Sequence, residues 1–230
     1  MKKTLALALA AGFAAQTFAA DGVLVLAAEG TYPPFSEIRD GKMTGFDIDI
    51  GLALCAEMKR ECRFEQIDWE GLIPALKTDK IDAIVASMND TPERRESVAF
   101  TDPYYTNPGL FVRAKGSSIE PTPEGVKGKN VGVLRASIFD NYVTDKFPEA
   151  NILRYTGQEE ANLDAVAGRV DLLFADKVVM EEGFLQRDEG KDFEAVGPEE
   201  NDKKYFGEGI SIAVRKEDGK LREAFNTALK

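Results

Sequence analysis

The chain has 230 residues, with 29 basic and 40 acidic side chains and a formal charge of −11. That balance repels nucleic acid and anionic lipid and enriches small cations near the surface, while two cysteines without a histidine remove the usual zinc ligand sets. Neither a metal nor a cofactor is expected, and the length suits one large domain or two modest ones.

The amino end carries Lys2 and Lys3, then a short apolar run from Leu5 to Ala15 that closes on the small residues Ala19 and Ala20. This is the pattern of an export signal over residues 1–20. Its apolar core is too short to span a bilayer, and no later stretch reaches the roughly eighteen apolar residues of a membrane helix. The mature protein is expected to be exported and soluble, cleaved after Ala19 or Ala20, with its charge falling to −13 once Lys2 and Lys3 are gone. Cys55 and Cys62 then sit in an oxidising compartment, where one disulfide closing a short loop at a helix end is expected. Two free thiols are the alternative.

The body opens with a strand, Val23 to Ala28, whose weak alternation reads as a partly buried strand of a parallel sheet. It stops at EGTYPPF, where two prolines forbid helix and hold an extended turn. That turn presents Glu29, Tyr32 and Phe35 at the carboxyl end of the strand, where ligands sit in open α/β sheets. In GFDIDIGLALCAEM, the residues Ile48, Leu52, Leu54 and Met58 recur at near-helical spacing, and Asp47 can cap the amino end. A strand from Arg63 to Ile67, a helix from Trp69 to Lys77 and an apolar strand in IDAIVASM follow. This βαβαβ order predicts a mostly parallel sheet covered on both faces.

In NDTPERRESVAF, Thr91 is placed as an N-cap with Pro92 at the first helical position. Arg94 then falls in the first turn, where the helix dipole disfavours a cation. A residue set against its local preference points to an anion beside it, and a guanidinium near free backbone N–H groups makes a bidentate carboxylate clamp. The alternative is that Arg94 and Arg95 are ordinary solvated charges.

Beyond FTDPYYTNPG, a strand in LFVRAK precedes a strand, small-residue turn and helix in GKNVGVLRASIFDNYV. A helix from Glu159 to Ala167 leads to RVDLLFAD, an apolar strand that delivers Asp176 at its carboxyl end much as KIDAIVAS delivers small polar residues. These two segments come nearest to an internal duplication, and they place Arg94 and Asp176 in separate α/β units. Phe193 to Val196 reads as a strand, NDKKYFGEG as a charged loop and ISIAVR as a strand. The last helix, Gly219 to Lys230, carries Leu221, Phe225 and Leu229 for packing on the first unit. Thr106 to Gly109 and Gly207 to Gly209 are the candidate crossovers.

Together TYPPF, GFDIDI, CAEMKREC, LIPALKTDKIDAI, TPERR, FTDPYY, GKNVGV, GRVDLLFAD, EGFL and KKYFGEG run in the order found in periplasmic amino-acid-binding proteins of ABC importers, solute-binding protein family 3. Over nearly the whole mature chain the sequence resembles the lysine/arginine/ornithine- and histidine-binding branch. The resemblance implies a bilobal α/β periplasmic-binding-protein fold of type II, with two lobes on a two-stranded hinge closing around ligand. Lobe 1 is expected at 21–106 and 210–230 and lobe 2 at 107–209, with hinge crossings at its ends. It also implies a monomer that carries a basic L-amino acid, arginine first among them, through the periplasm to an inner-membrane ABC permease complex.

Residue by residue, Arg94 resembles the family's α-carboxylate clamp and Asp176 its partner for the α-ammonium group. Ser87, Met88 and Asn89 sit where relatives hold the same zwitterion, Asn89 replacing the more usual serine. One fixed cation and one fixed anion are needed on physical grounds as well, because burying either charge of a free amino acid unpaired is costly. Selectivity is expected from Tyr32 and Trp69, two ring faces favouring a guanidinium, with Glu29 near its head. The plainer alternatives are a turn residue for Tyr32, a core anchor for Trp69 and a solvated carboxylate for Glu29.

The chain departs from its relatives at RASIFD. Ile138 stands where they carry a supporting hydroxyl, and Phe139, where glutamine is frequent, is expected to reshape the side-chain pocket. Relatives also continue past the FNTALK helix, so lobe 1 is expected to be truncated at its carboxyl end. Three other readings stay open: an opine or other amino-acid derivative as ligand, ligand sensing for a membrane receptor, and a dehydratase-like enzyme in which Glu29 is the carboxylate that can be placed as an acid.

Overall fold

Apolar strands that alternate with helices fold here into two sheets, each wrapped by its own helices. The computed structural model describes residues 22–230, so the export signal read at 1–20 lies outside the described residues. The first stretch runs β1 (Leu24–Ala28), β2 (Thr31–Tyr32), β3 (Ser36–Arg39), β4 (Lys42–Thr44), α1 (Phe46–Glu57), β5 (Cys62–Gln66), α2 (Trp69–Lys77), β6 (Ala83–Ile84), α3 (Pro92–Arg95) and β7 (Ala99–Phe100). The second runs β8 (Gly109–Ala114), β9 (Asn130–Leu134), α4 (Ile138–Lys146), β10 (Asn151–Tyr155), α5 (Gln158–Val166), β11 (Leu172–Asp176), α6 (Lys177–Met180) and β12 (Phe193–Glu200). The chain then forms α7 (Lys203–Phe206), β13 (Ala213–Val214) and α8 (Gly219–Ala228).

The first sheet has the order β5-β1-β6-β13-β7 and is parallel from β5 to β6, with β13 antiparallel to both neighbours. The second has the order β10-β9-β11-β8-β12, parallel from β10 to β11 and antiparallel at β8 and β12. The chain passes between sheets twice, from β7 to β8 and from β12 to β13, which makes the fold bilobal. Continuous apolar runs suit such strands because helices cover both faces, and all five residues of β11 are buried. Lobe 2 packs around the stacked pair Phe111 and Phe174. Lobe 1 closes under α8, where Phe225 is buried with Leu26, Leu54 and Ile212. Among the described residues no helix is long and apolar enough to cross a membrane.

Several local readings change in the folded chain. Asp47 does not cap α1: Gly45 stands at that position without a side-chain bond, and Asp47 is buried inside the first turn. Leu52 is 44% exposed, because the helix leans on Gly51, where a Cβ would lie 2.7 Å from the Phe64 ring. The glycine lets α1 settle on the sheet and turns Leu52 outward. NDKKYFGEG is not wholly loop, since Asp202 accepts from the Lys204 N–H and starts α7. The segment expected to be only an extended turn also forms strands: Pro33 and Pro34 separate β2 from β3 in a small antiparallel sheet, β2-β3-β4.

Cys55 and Cys62 are joined, with Cα atoms 6.1 Å apart, tying the end of α1 to the start of β5. Thr91 caps α3 as expected, accepting from the Arg94 N–H with Pro92 in the first turn.

Candidate functional site

The carboxyl ends of β1 and β11 meet across the space between the lobes. Glu29 follows β1 and is 3% exposed, while Asp176 ends β11 and is 2% exposed. Tyr32, on the β2 turn, donates its phenol proton to Asp176 Oδ2 at 2.7 Å. The same turn packs Tyr32 and Phe35 among lobe 2 residues, including Val179, Met180 and Phe184. Trp69 at the start of α2 donates its indole N–H to the Ala136 carbonyl of lobe 2 at 3.2 Å. Arg135 pairs with Glu70 at 3.3 Å and Asn141 donates to Glu93 at 3.2 Å, so that these contacts join the Tyr32 and Trp69 bonds in tying the lobes together.

Glu29, Tyr32, Trp69, Ser87, Asn89, Arg94, Ile138, Phe139 and Asp176 line one cleft between the lobes. Met88 does not join them: its side chain is buried in the lobe 1 core beside Ile84 and Val98. The run from Ala83 to Thr91 is buried throughout, and the chain bends after β6, with Ser87 at a φ of 50°, so that Ser87 and Asn89 reach the cleft while Met88 enters the core. Ala86, Leu134 and Ser137 complete the lining. Ser137 caps α4, accepting from the Asp140 N–H and donating to the Leu134 carbonyl. Its spacing to Asp140 in ASIFD was the available signal. The cleft encloses about 20 Å³, so a solute as large as an amino acid requires the lobes to part.

Arg94 and Arg95 take opposite fates. Arg95 is exposed and pairs through two hydrogen bonds with Asp90, at 2.5 and 2.6 Å. Arg94 turns inward from α3, donates to the Asn89 carbonyl at 3.1 Å and lies with its Cζ 5.0 Å from the Trp69 ring centroid. Trp69 thus offers its face to Arg94, a cation–π contact worth about 0.5–2 kcal/mol. Asn89 spends its side-chain N–H on the Phe206 carbonyl at 3.0 Å. Phe139 meets Phe174 and Phe206 edge to face, which makes it a lobe 2 core residue with one margin on the cleft.

Burial dominates the site's electrostatics. The Glu29 carboxyl is pushed up to about 8, by burial first and then by the charges of Asp47, Asp176 and Asp68. Asp176 is pushed up to about 7 by burial, against the Tyr32 hydrogen bond and Arg94, with Asp47 adding to the rise. Asp47 rises to about 6 through burial, held back by bonds from Tyr104 and Ser87. Burial lowers Arg94 to about 10, opposed by Glu93 and Asp176. Glu29 Oε2 and Asp176 Oδ1 are both buried without a hydrogen-bond partner. An unpaired buried acceptor costs about 1–3 kcal/mol, so these two oxygens mark where donors from a solute would be most strongly held.

The profile of the bacterial extracellular solute-binding proteins, family 3, matches residues 24–230. The L-arginine-binding protein of Pseudomonas aeruginosa is 50% identical over 216 residues, 93% of this chain and 83% of that protein. The lysine/arginine/ornithine-binding periplasmic protein of Escherichia coli is 41% identical over 236 residues, covering 100% of this chain and 91% of the relative. An arginine-specific periplasmic binding protein of Salmonella typhimurium superposes with a TM-score of 0.84 at 32% identity, over 90% of this chain and 91% of the other. Two lobes around a buried, charge-lined cleft therefore carry the type II periplasmic-binding-protein fold, and the chain belongs to the bacterial extracellular solute-binding proteins, family 3.

Proposed function

We propose that this protein binds a basic L-amino acid in the periplasm, arginine in first place with lysine, ornithine and histidine behind it, and delivers it to an ABC permease. The observation that carries the reading is the charge inventory of the cleft: one inward guanidinium, Arg94, and two buried carboxylate oxygens without partners, on Glu29 and Asp176. A basic amino acid offers the complement, one carboxylate and two cationic groups. Arg94 takes the carboxylate, Asp176 the α-ammonium group and Glu29 the head of the side chain. A neutral side chain would leave Glu29 unpaired, at a cost of about 1–3 kcal/mol. The kinship with binders of arginine, lysine, ornithine and histidine supports the same choice.

Isothermal titration of the ligand-stripped mature protein tests the reading. Arginine, lysine, ornithine, histidine, octopine and glutamine are compared at one salt concentration. The expected result is arginine tighter than glutamine by roughly ten- to a hundredfold; equal or inverted affinities would sink it. A Glu29 carboxyl that keeps its proton near neutral pH is also what a dehydratase acid would require. Incubating bound amino acids with the protein and assaying for released product separates that second reading, and unchanged amino acid is the expected outcome.

A further inference from the structure

Behind the cleft, lobe 1 holds a buried polar cluster that the charge inventory leaves out. Asp47 lies in the first turn of α1 with no exposed surface. Its Oδ2 accepts from the Ser87 hydroxyl at 2.7 Å and its Oδ1 from the Tyr104 phenol at 2.7 Å. The Tyr105 phenol stands 2.5 Å from Ser87 Oγ. The direction of each bond follows from counting protons. A carboxylate only accepts, so Ser87 gives its single proton to Asp47; Tyr105 must then donate to Ser87, which leaves Ser87 one free lone pair. Burial raises the phenol of Tyr105 well above its ordinary range, so it stays a donor.

Ser87 also faces the cleft beside Glu29 and Arg94. Its φ of 50° lies in the left-handed region that non-glycine residues seldom adopt, and the two bonds through its hydroxyl hold it there. We propose that Asp47 and Tyr105 are positioning residues that fix Ser87 as an acceptor-only group, so that Ser87 receives an N–H of the ligand rather than supporting its carboxylate. This inference rests on the reading of the cleft as an amino-acid site and deepens it by assigning chemistry to one contact. It also links the contact to the hinge. Tyr105 stands just ahead of the crossing into β8, and Ile210, next to the return crossing, bridges both Tyr105 and Asn89.

The test is a double-mutant cycle of Asp47→Ala with Ser87→Ala, read by calorimetric affinity on variants whose folding is checked by circular dichroism. With Asp47 gone, the Ser87 proton is free to turn into the cleft. The expected result is arginine binding weakened roughly five- to thirtyfold in Asp47→Ala, inside the range of couplings between bonded neighbours, and almost no further loss when Ser87→Ala is already present. Losses that simply multiply would overturn the proposal, because Asp47 would then act on the site without Ser87. Tighter binding in Asp47→Ala would overturn it too, since a freed hydroxyl proton would then be serving the ligand carboxylate. Tyr105→Phe keeps the ring packing and closes the same cycle should Asp47→Ala fail to fold. A wild-type protein that takes glutamine and not arginine would defeat the basic-ligand reading alone, and the cycle run with glutamine would still decide the role of Ser87.

Discussion

The two walls of the cleft are built on different plans. Lobe 1 presents a face already bonded to itself: Asp47, Ser87, Tyr104 and Tyr105 form one network, and Arg94 is held between the Asn89 carbonyl and the Trp69 ring. Lobe 2 presents Leu134, Ile138, Phe139, a Ser137 whose proton is committed to its helix cap, and one charged group, Asp176. A pre-bonded polar face loses little freedom when a ligand arrives. A mostly apolar wall with one carboxylate gains chiefly by shutting out water. The proposed order is therefore docking on lobe 1 followed by closure of lobe 2, with ligand shifting the population toward the closed form.

Breaking the lobe 1 face should cost most. Arg94→Ala removes the cation proposed to receive the ligand carboxylate, and leaving a buried charge unpaired costs on the order of 3–5 kcal/mol. Affinity for arginine by titration calorimetry should fall by a hundredfold or more; a loss under tenfold would mean that the carboxylate is held elsewhere. Asp176→Ala strikes the lobe 2 wall and should cost toward the lower end of about 2–5 kcal/mol, since docking on lobe 1 persists. Trp69 is the sole tryptophan, and its indole N–H reaches across to Ala136. Its fluorescence should therefore report closure. In Asp176→Ala the ligand-induced change should vanish before binding does, and unchanged affinity would remove Asp176 from the site.

The staple separates the lobes in another way. Cys55–Cys62 closes a loop with a sequence separation of 7 within lobe 1, and loop entropy makes such a link worth about 2–3 kcal/mol. Cys55→Ser with Cys62→Ser should lower urea-unfolding stability by that amount while leaving arginine affinity within twofold. A comparable loss of affinity would mean that α1, and with it Asp47, moves when the link is cut.

Much of this arrangement was legible in the chain because it is set by neighbours in sequence. The Thr91-Pro92 start of α3, α2 from Trp69 to Lys77, and Asp176 at the end of an apolar run all follow from local rules. What stayed hidden is set by residues far apart. Asp47 reads as a helix cap until Ser87 and Tyr104 are brought to it from 40 and 57 residues away. The outward turn of Leu52 follows from the contact of Gly51 with Phe64 on the neighbouring strand, which periodicity alone does not contain. The β2-β3-β4 sheet uses strands of 2, 4 and 3 residues, too short to show alternation. Met88 shares a segment with cleft residues, yet the bend at Ser87 sets its side chain in the core, which local periodicity does not contain.

The gentlest probe of the two walls is pH, because each holds a buried carboxyl with a raised pKa. Glu29 on lobe 1 stands at about 8 and Asp176 on lobe 2 at about 7, against ordinary values of 4.5 and 3.8. Between the ordinary and the raised value the folded protein holds a proton that the unfolded chain has released, so the contribution of these two groups to unliganded stability is greatest at the acid side and declines as pH rises from about 4 to 8. Cation binding runs the other way: a ligand ammonium or guanidinium needs the carboxylate, so affinity should strengthen over the same rise, by at most about 1.4 kcal/mol per pH unit for each proton displaced. Calorimetric melting with and without arginine across this range should show the unliganded Tm falling and the ligand-induced increment growing. Glu29→Gln should flatten both curves above pH 7, because it removes the highest-lying proton and leaves the Asp176 and Asp47 titrations below. Parallel curves in the wild-type protein, with an increment independent of pH, would mean that ligand cations do not displace these protons, and that the two carboxyls of the cleft face something other than a basic side chain.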